Sequence, residues 1–353
     1  MNCKNEQNIL QLTYSEKKYT EINFLKGFSI LTIVLMHLIQ VYIRNLPGIV
    51  YTGASLGGTG VHVFFFCSGF GLYLSQCKKS MSVKEFYSHR LRKIYVPYII
   101  IVLLSFCIPF MYRESDRILA LLSHIFLYKM FIPKYEISFG LQLWYVSTII
   151  QFYILFPFLY SFRKKVKNSR SFLLGTFIAS ICWWIFVAYI RKCEERVWNS
   201  FFLQYLWEFA LGMEIAGYLK DGGQIKIKRW QLIVVAIVGL SLQMAMAIVG
   251  GNFKLFNDIP ALFGYGALAL FIYSLNIGWI EKTIDFLSKI SYEWYLIHIL
   301  VFSCVFKVLR IYDIGIVCEM IVSVIAFVMS VIVAYLYQKI TSRSMTKRGK
   351  DYV

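Results

Sequence analysis

Long apolar segments recur along the chain, separated by short polar stretches. An α-helix needs about 20 apolar residues to cross the hydrocarbon core of a bilayer. Ten segments approach or exceed that length, at residues 24–43, 57–75, 94–112, 141–162, 171–190, 201–219, 230–249, 259–279, 287–309 and 314–338. The pattern predicts an all-α, polytopic membrane helical bundle of about ten transmembrane helices.

An eleventh apolar segment, at residues 118–132, is too short to cross a bilayer. At the rise of an α-helix it covers only about 22 Å. We expect it to form a short interfacial or re-entrant helix on the side opposite the N-terminus.

Polar residues at both ends define the domain organisation. Residues 1–22 are polar and lead directly into the first apolar segment, so we expect that segment to be retained as a helix. A single transmembrane domain follows at residues 23–338, and residues 339–353 form a basic tail. The longest linker, 113–140, already contains the short apolar segment, so no soluble domain is expected.

Composition agrees with a membrane protein, since 58% of the 353 residues are apolar and 16% are charged. The net charge of +18 would suggest nucleic-acid binding in a soluble protein. Most of the lysines and arginines, however, lie in the loops and span ends that share a side with the N-terminus. Because such residues are enriched in cytoplasmic loops, both termini are predicted to be cytoplasmic. The charge then indicates topology and contact with bilayer lipids, and no nucleic-acid partner is expected.

The eight cysteines show no pattern of a metal site or a disulfide framework. They form no CxxC motif and no cluster with histidines, and most of them fall in apolar segments. We therefore expect neither a metal nor a disulfide.

One ionisable side chain, His37, is set well inside the first apolar segment, about 20 Å from its cytoplasmic end. An ionisable group at such a depth needs a partner or a cavity, which makes it a candidate functional residue. His62 lies at a similar depth in the second segment, so the two histidines could face a common cavity. The alternative is that each donates a hydrogen bond to a neighbouring helix and only supports packing.

Among the intramembrane acids, Glu208 is the one best placed by depth to meet these histidines. A carboxylate that holds an imidazole in one tautomer is a common arrangement for a general base. A structural ion pair would give the same pattern. Other acids in predicted spans are Glu214, Glu293 and Glu319.

A basic group opens the third span, in the stretch HRLRKIYVPY. Arg90 and Lys93 are three residues apart and share a helix face, whereas Arg92 points elsewhere. Membrane topology alone would explain these charges. Pro97 restricts the backbone nearby, and a guanidinium is well suited to bind phosphate.

Six stretches in order resemble the membrane acyltransferase 3 family, integral membrane enzymes that O-acylate cell-surface glycans and related acceptors. NFLKGFSILTIVLMH resembles the family's first helix and places His37 on its histidine. GVHVFFFCSGFGL, the Arg90–Lys93–Ile94–Pro97 turn, LWYVSTIIQFYILFPFL, WEFALGM and ISYEWYLIHILV resemble the later motifs. The chain differs from the family pattern at several positions. It has Lys26 where the family has arginine, His62 where the family has an acidic residue, and Lys93 where the family has the second arginine of the turn.

The resemblance implies a multi-pass enzyme of a bacterial plasma or inner membrane. Its donor would be cytoplasmic acyl-CoA, commonly acetyl-CoA, and its acceptor a hydroxyl of a carbohydrate or lipid-linked glycan. Arg90, Lys93 and Arg92 would bind the CoA phosphates, and His37 would act as general base or accept the acyl group. Glu208 or His62 would orient His37, and His298 in the ninth span could line the path or simply be packed.

A lipid-linked glycan flippase or polymerase is the alternative function, because it also combines many spans with buried ionisable groups. Glycan polymerases usually have a large external loop with several arginines. The longest external loop here holds only two, Arg113 and Arg117. Stabilisation by CoA would distinguish the acyltransferase from this alternative.

Overall fold

The computed structural model describes residues 9–15, 19–44, 46–166, 168–309 and 315–349, and these residues are predominantly helical. The α-helices are α1 (Thr20–His37), α2 (Gly48–Ser55), α3 (Gly60–Lys78), α4 (Val83–Cys107), α5 (Arg117–Ile125), α6 (Trp144–Lys165), α7 (Ser169–Tyr189), α8 (Arg196–Asn199), α9 (Leu206–Lys220), α10 (Arg229–Val249), α11 (Phe253–Phe256), α12 (Asp258–Ser274), α13 (Gly278–Lys289), α14 (Ser291–Leu309) and α15 (Ile316–Gly349). A π-helical turn covers Leu38–Tyr42. Short 3-10 turns cover Leu56–Thr59, Pro109–Met111, Lys129–Phe131, Pro133–Tyr135, Leu141–Leu143 and Phe202–Tyr205.

The predicted all-α, polytopic membrane class is confirmed. Every one of the ten predicted segments contains a helix, and seven helical stretches in the described part of the chain are long and apolar enough to cross a bilayer. The remaining three are α4, which carries several charges, and the shorter helices α9 and α12. The number of ten spans and the cytoplasmic placement of the termini stay predictions.

Some predicted boundaries were wrong. The segment 259–279 does not continue as one helix, because the chain turns after Ser274 with Asn276 at a φ of 54°. Asparagine tolerates this left-handed conformation better than most residues. A separate helix, α13, follows from Gly278 to Lys289. It includes residues 287–289, which were predicted to open the next span, so that span begins at Ser291 instead. At the other end α15 continues as a helix past residue 338, where no proline interrupts it, and the end of the last span at 338 stays a prediction.

The short segment 118–132 is helical only in its first part. Helix α5 ends at Ile125, and Leu127, with a φ of 61°, turns the chain into two successive 3-10 turns. Asp116 holds this region together by accepting hydrogen bonds from Tyr112 and Tyr135, both at 3.0 Å, and by pairing with Lys134 at 2.6 Å. Its location at the membrane interface stays a prediction.

A two-stranded ribbon was not predicted. Strand β1 (Ile9–Leu12) pairs antiparallel with β2 (Ile225–Lys228), with Ile9 opposite Lys228. Leu10 and Leu12 on β1 are buried, and their neighbours on the strand are exposed. The ribbon therefore ties the predicted N-terminal segment 1–22 to the linker before α10. Residues 1–8 and 16–18 of that segment, and residues 350–353 of the predicted tail, lie outside the described residues.

The described residues divide into two compact units. The first consists of Met1–Leu31, Gly58–Ser82 and Leu155–Lys289, and its helices approach closely at glycines. A Cβ atom on Gly69 of α3 or on Gly212 of α9 would collide with the backbone of the facing helix. Gly239 of α10 and Gly264 of α12 meet in the same manner. Small residues permit such close packing between membrane helices.

The second unit consists of Thr32–Gly57, Val83–Ile154 and Ile290–Val353. Tyrosine hydroxyls hold its helices together by donating to backbone carbonyls. Tyr292 of α14 donates to Ile94 O of α4, and Tyr337 of α15 donates to Pro97 O, both at 2.7 Å. Helix α4 is therefore fixed against α14 and α15 at the turn that contains Pro97.

Candidate active site

His37 lies where the first transmembrane helix changes its geometry. It is the last residue of α1, and the following turn is π-helical, with Ile43 N bonded to Leu38 O. Single π turns inside helices occur frequently at functional sites. Tyr42, in the same turn, is bonded to Ser303 Oγ at 2.7 Å and donates to Ile299 O at 3.2 Å. These bonds fix the π turn against α14.

A second histidine holds His37. His298 of α14 lies with its Nε2 2.9 Å from His37 Nδ1, and the two rings are stacked with centroids 5.1 Å apart. Both are buried, at 8% and 0% exposure. His298 was predicted only as a possible path-lining residue, and its contact with His37 was not foreseen.

When both rings are neutral, the hydrogen bonds determine the tautomer of each histidine. His298 Nδ1 lies 2.9 Å from Trp294 O, which can only accept, so the proton of His298 is on Nδ1. His298 Nε2 must then accept, and His37 Nδ1 must donate to it. The lone pair of His37 is consequently on Nε2. A neutral imidazole with a defined basic nitrogen is what a general base requires.

A second cluster, in the first unit, contains the predicted residues His62 and Glu208. His62 Nδ1 lies 2.7 Å from Glu208 Oε1, and the Glu208 side chain is fully buried. His62 comes from α3 and Glu208 from the first turn of α9. The predicted pairing of a buried carboxylate with a histidine is therefore present between these two residues. That Glu208 or His62 orients His37 stays a prediction.

Sequence reasoning missed two members of the second cluster. Asp258, at the start of α12, has Oδ1 3.9 Å from His62 Nε2, and Gln204 Nε2 donates to Asp258 Oδ2 at 2.8 Å. Both are buried, at 3% and 2% exposure. Asp258 directly precedes an apolar segment and Gln204 lies four residues before Glu208, so their depth was available as a signal.

The three basic residues predicted to bind the donor lie on α4. Arg90 is half-buried, with its guanidinium carbon 5.9 Å from the centroid of the Phe86 ring. Arg92 and Lys93 are exposed. The start of α4 therefore presents positive charge in the second unit, with Arg90 and Lys93 on its basic face, and its role in donor binding stays a prediction.

Two of the other acids named from the sequence, Glu214 and Glu293, have structural partners. Glu214 accepts from Arg163 and from Ser169, and Glu293 accepts from Thr341 at 3.2 Å. These bonds connect helices within one unit in each case. Glu319 is half-buried near the start of α15.

Comparison with known proteins gives one result that bears on this site. The sequence profile of an acyltransferase domain, that of acyltransferase 3, matches residues 19–339. The matched range contains both histidine clusters and the basic face of α4. No match to the chain was found among curated proteins or among solved structures.

Proposed function

Because the chain belongs to the acyltransferase 3 family and is a multi-pass membrane protein, we propose that it transfers an acetyl or related acyl group from cytoplasmic acyl-CoA. The proposed acceptor is a hydroxyl group of a cell-surface or exported carbohydrate, free or lipid-linked. The proposed location is a bacterial plasma membrane. Membership of the family supports acyl transfer in general. The identity of the donor, of the acyl group, of the acceptor and of the membrane is proposed.

The observation that carries the proposal is the hydrogen-bonded chain from Trp294 O through His298 to His37. It supplies a basic Nε2 on a buried histidine, as acyl transfer to a hydroxyl needs. In the proposed step, His37 Nε2 takes the hydroxyl proton while the hydroxyl oxygen forms a C–O bond to the thioester carbonyl. The C–S bond then breaks, and the proton passes from His37 to the departing sulfur of CoA.

His298 acts in this proposal as a positioning residue. When His37 takes a second proton, its Nδ1–H continues to donate to His298 Nε2, so the imidazolium keeps its orientation. A covalent variant, in which His37 first accepts the acyl group, uses the same nitrogen. Glu208 and His62 are not needed for this proton transfer.

The proposed binding of the acyl-CoA donor rests on the positive charge of the residues that open α4. CoA carries phosphate groups, and arginine binds phosphate with a planar pair of donors, whereas lysine contributes a point charge. Arg90, Arg92 and Lys93 belong to the same unit as His37 and His298. A long pantetheine arm would connect the phosphates to the histidine. The family match favours this function over a lipid-linked glycan flippase or polymerase.

Thermal stabilisation by CoA tests the proposed donor binding. For purified protein we expect the melting temperature to rise with CoA concentration, since a ligand that binds the folded state stabilises it. Arg90→Ala and Lys93→Ala should need more CoA for the same rise. Lys84→Ala, which removes an exposed charge from the same helix, is the matched control and should behave as wild type.

Two results would contradict this part of the proposal. If CoA does not stabilise the wild-type protein, the donor is wrong. If Arg90→Ala and Lys93→Ala respond to CoA as Lys84→Ala does, these residues report membrane topology and do not bind the donor.

A further inference from the structure

The cluster of His62, Glu208 and Asp258 has the composition of a cation site. One ligand atom from each residue can be chosen so that all three lie within 4.8 Å of one another. Glu208 and Asp258 are buried, and the His62 side chain is 13% exposed. The three residues come from α3, α9 and α12 and so converge from different helices.

Unsatisfied oxygens at the cluster provide an independent observation. Glu208 Oε2 and Gln204 Oε1 are both buried and have no hydrogen-bond donor among the residues that the structure describes. The Gln204 amide lies against the cluster, since its Nε2 donates to Asp258 Oδ2 at 2.8 Å and to Leu255 O at 2.8 Å. Since Nε2 makes both of these bonds, the side-chain atom of Gln204 without a partner is the oxygen Oε1. Buried acceptors without donors are costly, and a cation bound at the cluster would satisfy Glu208 Oε2.

Charge favours a divalent cation over a monovalent one. Two ionised carboxylates in a hydrocarbon-surrounded protein interior are unfavourable unless their charge is compensated. Neutral His62 contributes no charge. One divalent cation would cancel the two negative charges and leave the cluster neutral.

The ligand types narrow the choice of metal. An imidazole nitrogen with two carboxylates suits first-row transition metals such as Zn²⁺ or Mn²⁺, and no thiolate is in the set. Because the three ligand atoms lie within 4.8 Å of one another, a cation at their centre would be no more than about 2.8 Å from each. Zinc ligands lie at about 2.0–2.2 Å, so side-chain shifts of under about 1 Å would complete the site.

We propose that His62, Glu208 and Asp258 bind one divalent transition-metal cation. No metal motif is visible in the sequence, because the ligands are up to 196 positions apart and come from three helices. The site is separate from the proton transfer proposed for His37. Metal binding and acyl transfer can therefore fail independently.

Metal content tests the proposal on the full-length, tag-free protein in detergent. The protein is stripped with a chelator, supplied with Zn²⁺ or Mn²⁺ alone, desalted, and analysed by mass spectrometry for metal per chain. We expect roughly one metal per wild-type chain, because a site with its ligands in place retains the ion. Asp258→Asn and Glu208→Gln should retain less than about a tenth of this, since each removes a charged ligand.

Glu293→Gln is the matched control, because it removes a buried carboxylate outside the cluster. It should retain the same metal as wild type. A wild-type chain that retains no stoichiometric Zn²⁺ or Mn²⁺ would overturn the proposal, whatever the variants do. Equal retention by wild type, Asp258→Asn and Glu208→Gln would also overturn it, because the metal would then be bound elsewhere.

If the variants do not fold, the metal content of the wild-type chain still decides whether the proposal holds. The melting temperature of the wild-type protein gives a second measurement on the same sample. It should fall when the chelator is added and recover with Zn²⁺ or Mn²⁺, since an ion bound only to the folded state stabilises it. A melting temperature that does not respond to chelator or metal would contradict a bound cation.

Discussion

The tautomer of His37 is determined by a backbone carbonyl that it does not contact. The effect passes through the hydrogen bonds of His298, which lies between the two. Trp294 O sets the tautomer of His298, and His298 in turn sets the tautomer of His37. No charged group is needed for this relay. A neutral relay is well suited to a bilayer interior, where an ionised partner would be costly.

Replacement of His298 tests the relay at the scale of one residue. Leucine cannot accept the hydrogen bond that His37 Nδ1 donates, so His37 loses its orientation in His298→Leu. We therefore expect kcat for acyl transfer to fall by about 10²-fold or more, which is the usual contribution of a general base. Glutamine offers an acceptor oxygen of similar reach and should restore part of the loss. The KM for acyl-CoA should be unchanged in both.

A purely structural role for His298 predicts a different outcome. His298→Gln and His298→Leu would then lose activity and thermal stability together. Equal kcat values for the two variants, or a rise in the KM for acyl-CoA, would contradict the positioning role.

Asp116 gives a second test at this scale, outside the helices long enough to span the membrane. Its hydrogen bonds with Lys134, Tyr112 and Tyr135 lower the pKa of Asp116, and the Lys134 pair contributes most. Because the folded-state pKa is lowered, the stabilisation is present above the ordinary aspartate pKa of about 4 and is lost as the pH falls through the lowered value.

We therefore expect wild type to melt at a higher temperature than Asp116→Asn at pH 7. The difference should shrink as the pH is lowered below about 4. A difference that stays constant over this range would show that the carboxylate charge of Asp116 does not stabilise the loop.

At the scale of elements, helices α3 and α9 of the first unit pack closely against each other. Gly69 faces the carbonyl of Phe209, and Gly212 faces the carbonyl of Phe66, so backbone meets backbone at both positions. This packing brings His62 of α3 and Glu208 of α9 within hydrogen-bond distance. The glycines thus position the second cluster without contributing to its chemistry.

Gly69→Ala should lower the free energy of unfolding by about 1–3 kcal/mol, the usual cost of overpacking. Gly71→Ala, on the same helix, is the control, because a Cβ there has no neighbour within 4 Å. Thermal melting in detergent measures both. If Gly69→Ala and Gly71→Ala melt at the same temperature, the two helices do not pack as closely as described.

The helices were predictable from the sequence, whereas several contacts between elements were not. Twenty or so apolar residues identify a span because the bilayer requires that length. Strand β1 has only four residues, and its partner lies more than 200 positions away, so no local pattern pointed to the ribbon. His37 was identifiable as an ionisable group at membrane depth. Its contact with His298 depends on two helices meeting, which periodicity does not indicate.

At the scale of the whole molecule, the candidate chemistry divides between the two compact units. The second unit contains His37, His298 and the basic face of α4, and the first contains the cluster of His62, Glu208 and Asp258. The sequence suggested that Glu208 or His62 would orient His37, from depth alone. Depth gives the level of a residue in the membrane but not its neighbours, so the depth of Asp258 and Gln204 alone did not place them beside His62.

Acyl transfer by His37→Ala tests the central claim most directly. Membranes that contain equal, correctly inserted amounts of wild type, His37→Ala and Leu35→Ala are supplied with radiolabelled acetyl-CoA, and label in the carbohydrate fraction and release of CoA are measured. Leu35→Ala, an exposed position on the same helix, should transfer label as wild type does. His37→Ala should lose transfer by about 10²-fold or more. Transfer at the wild-type rate by His37→Ala would contradict the account.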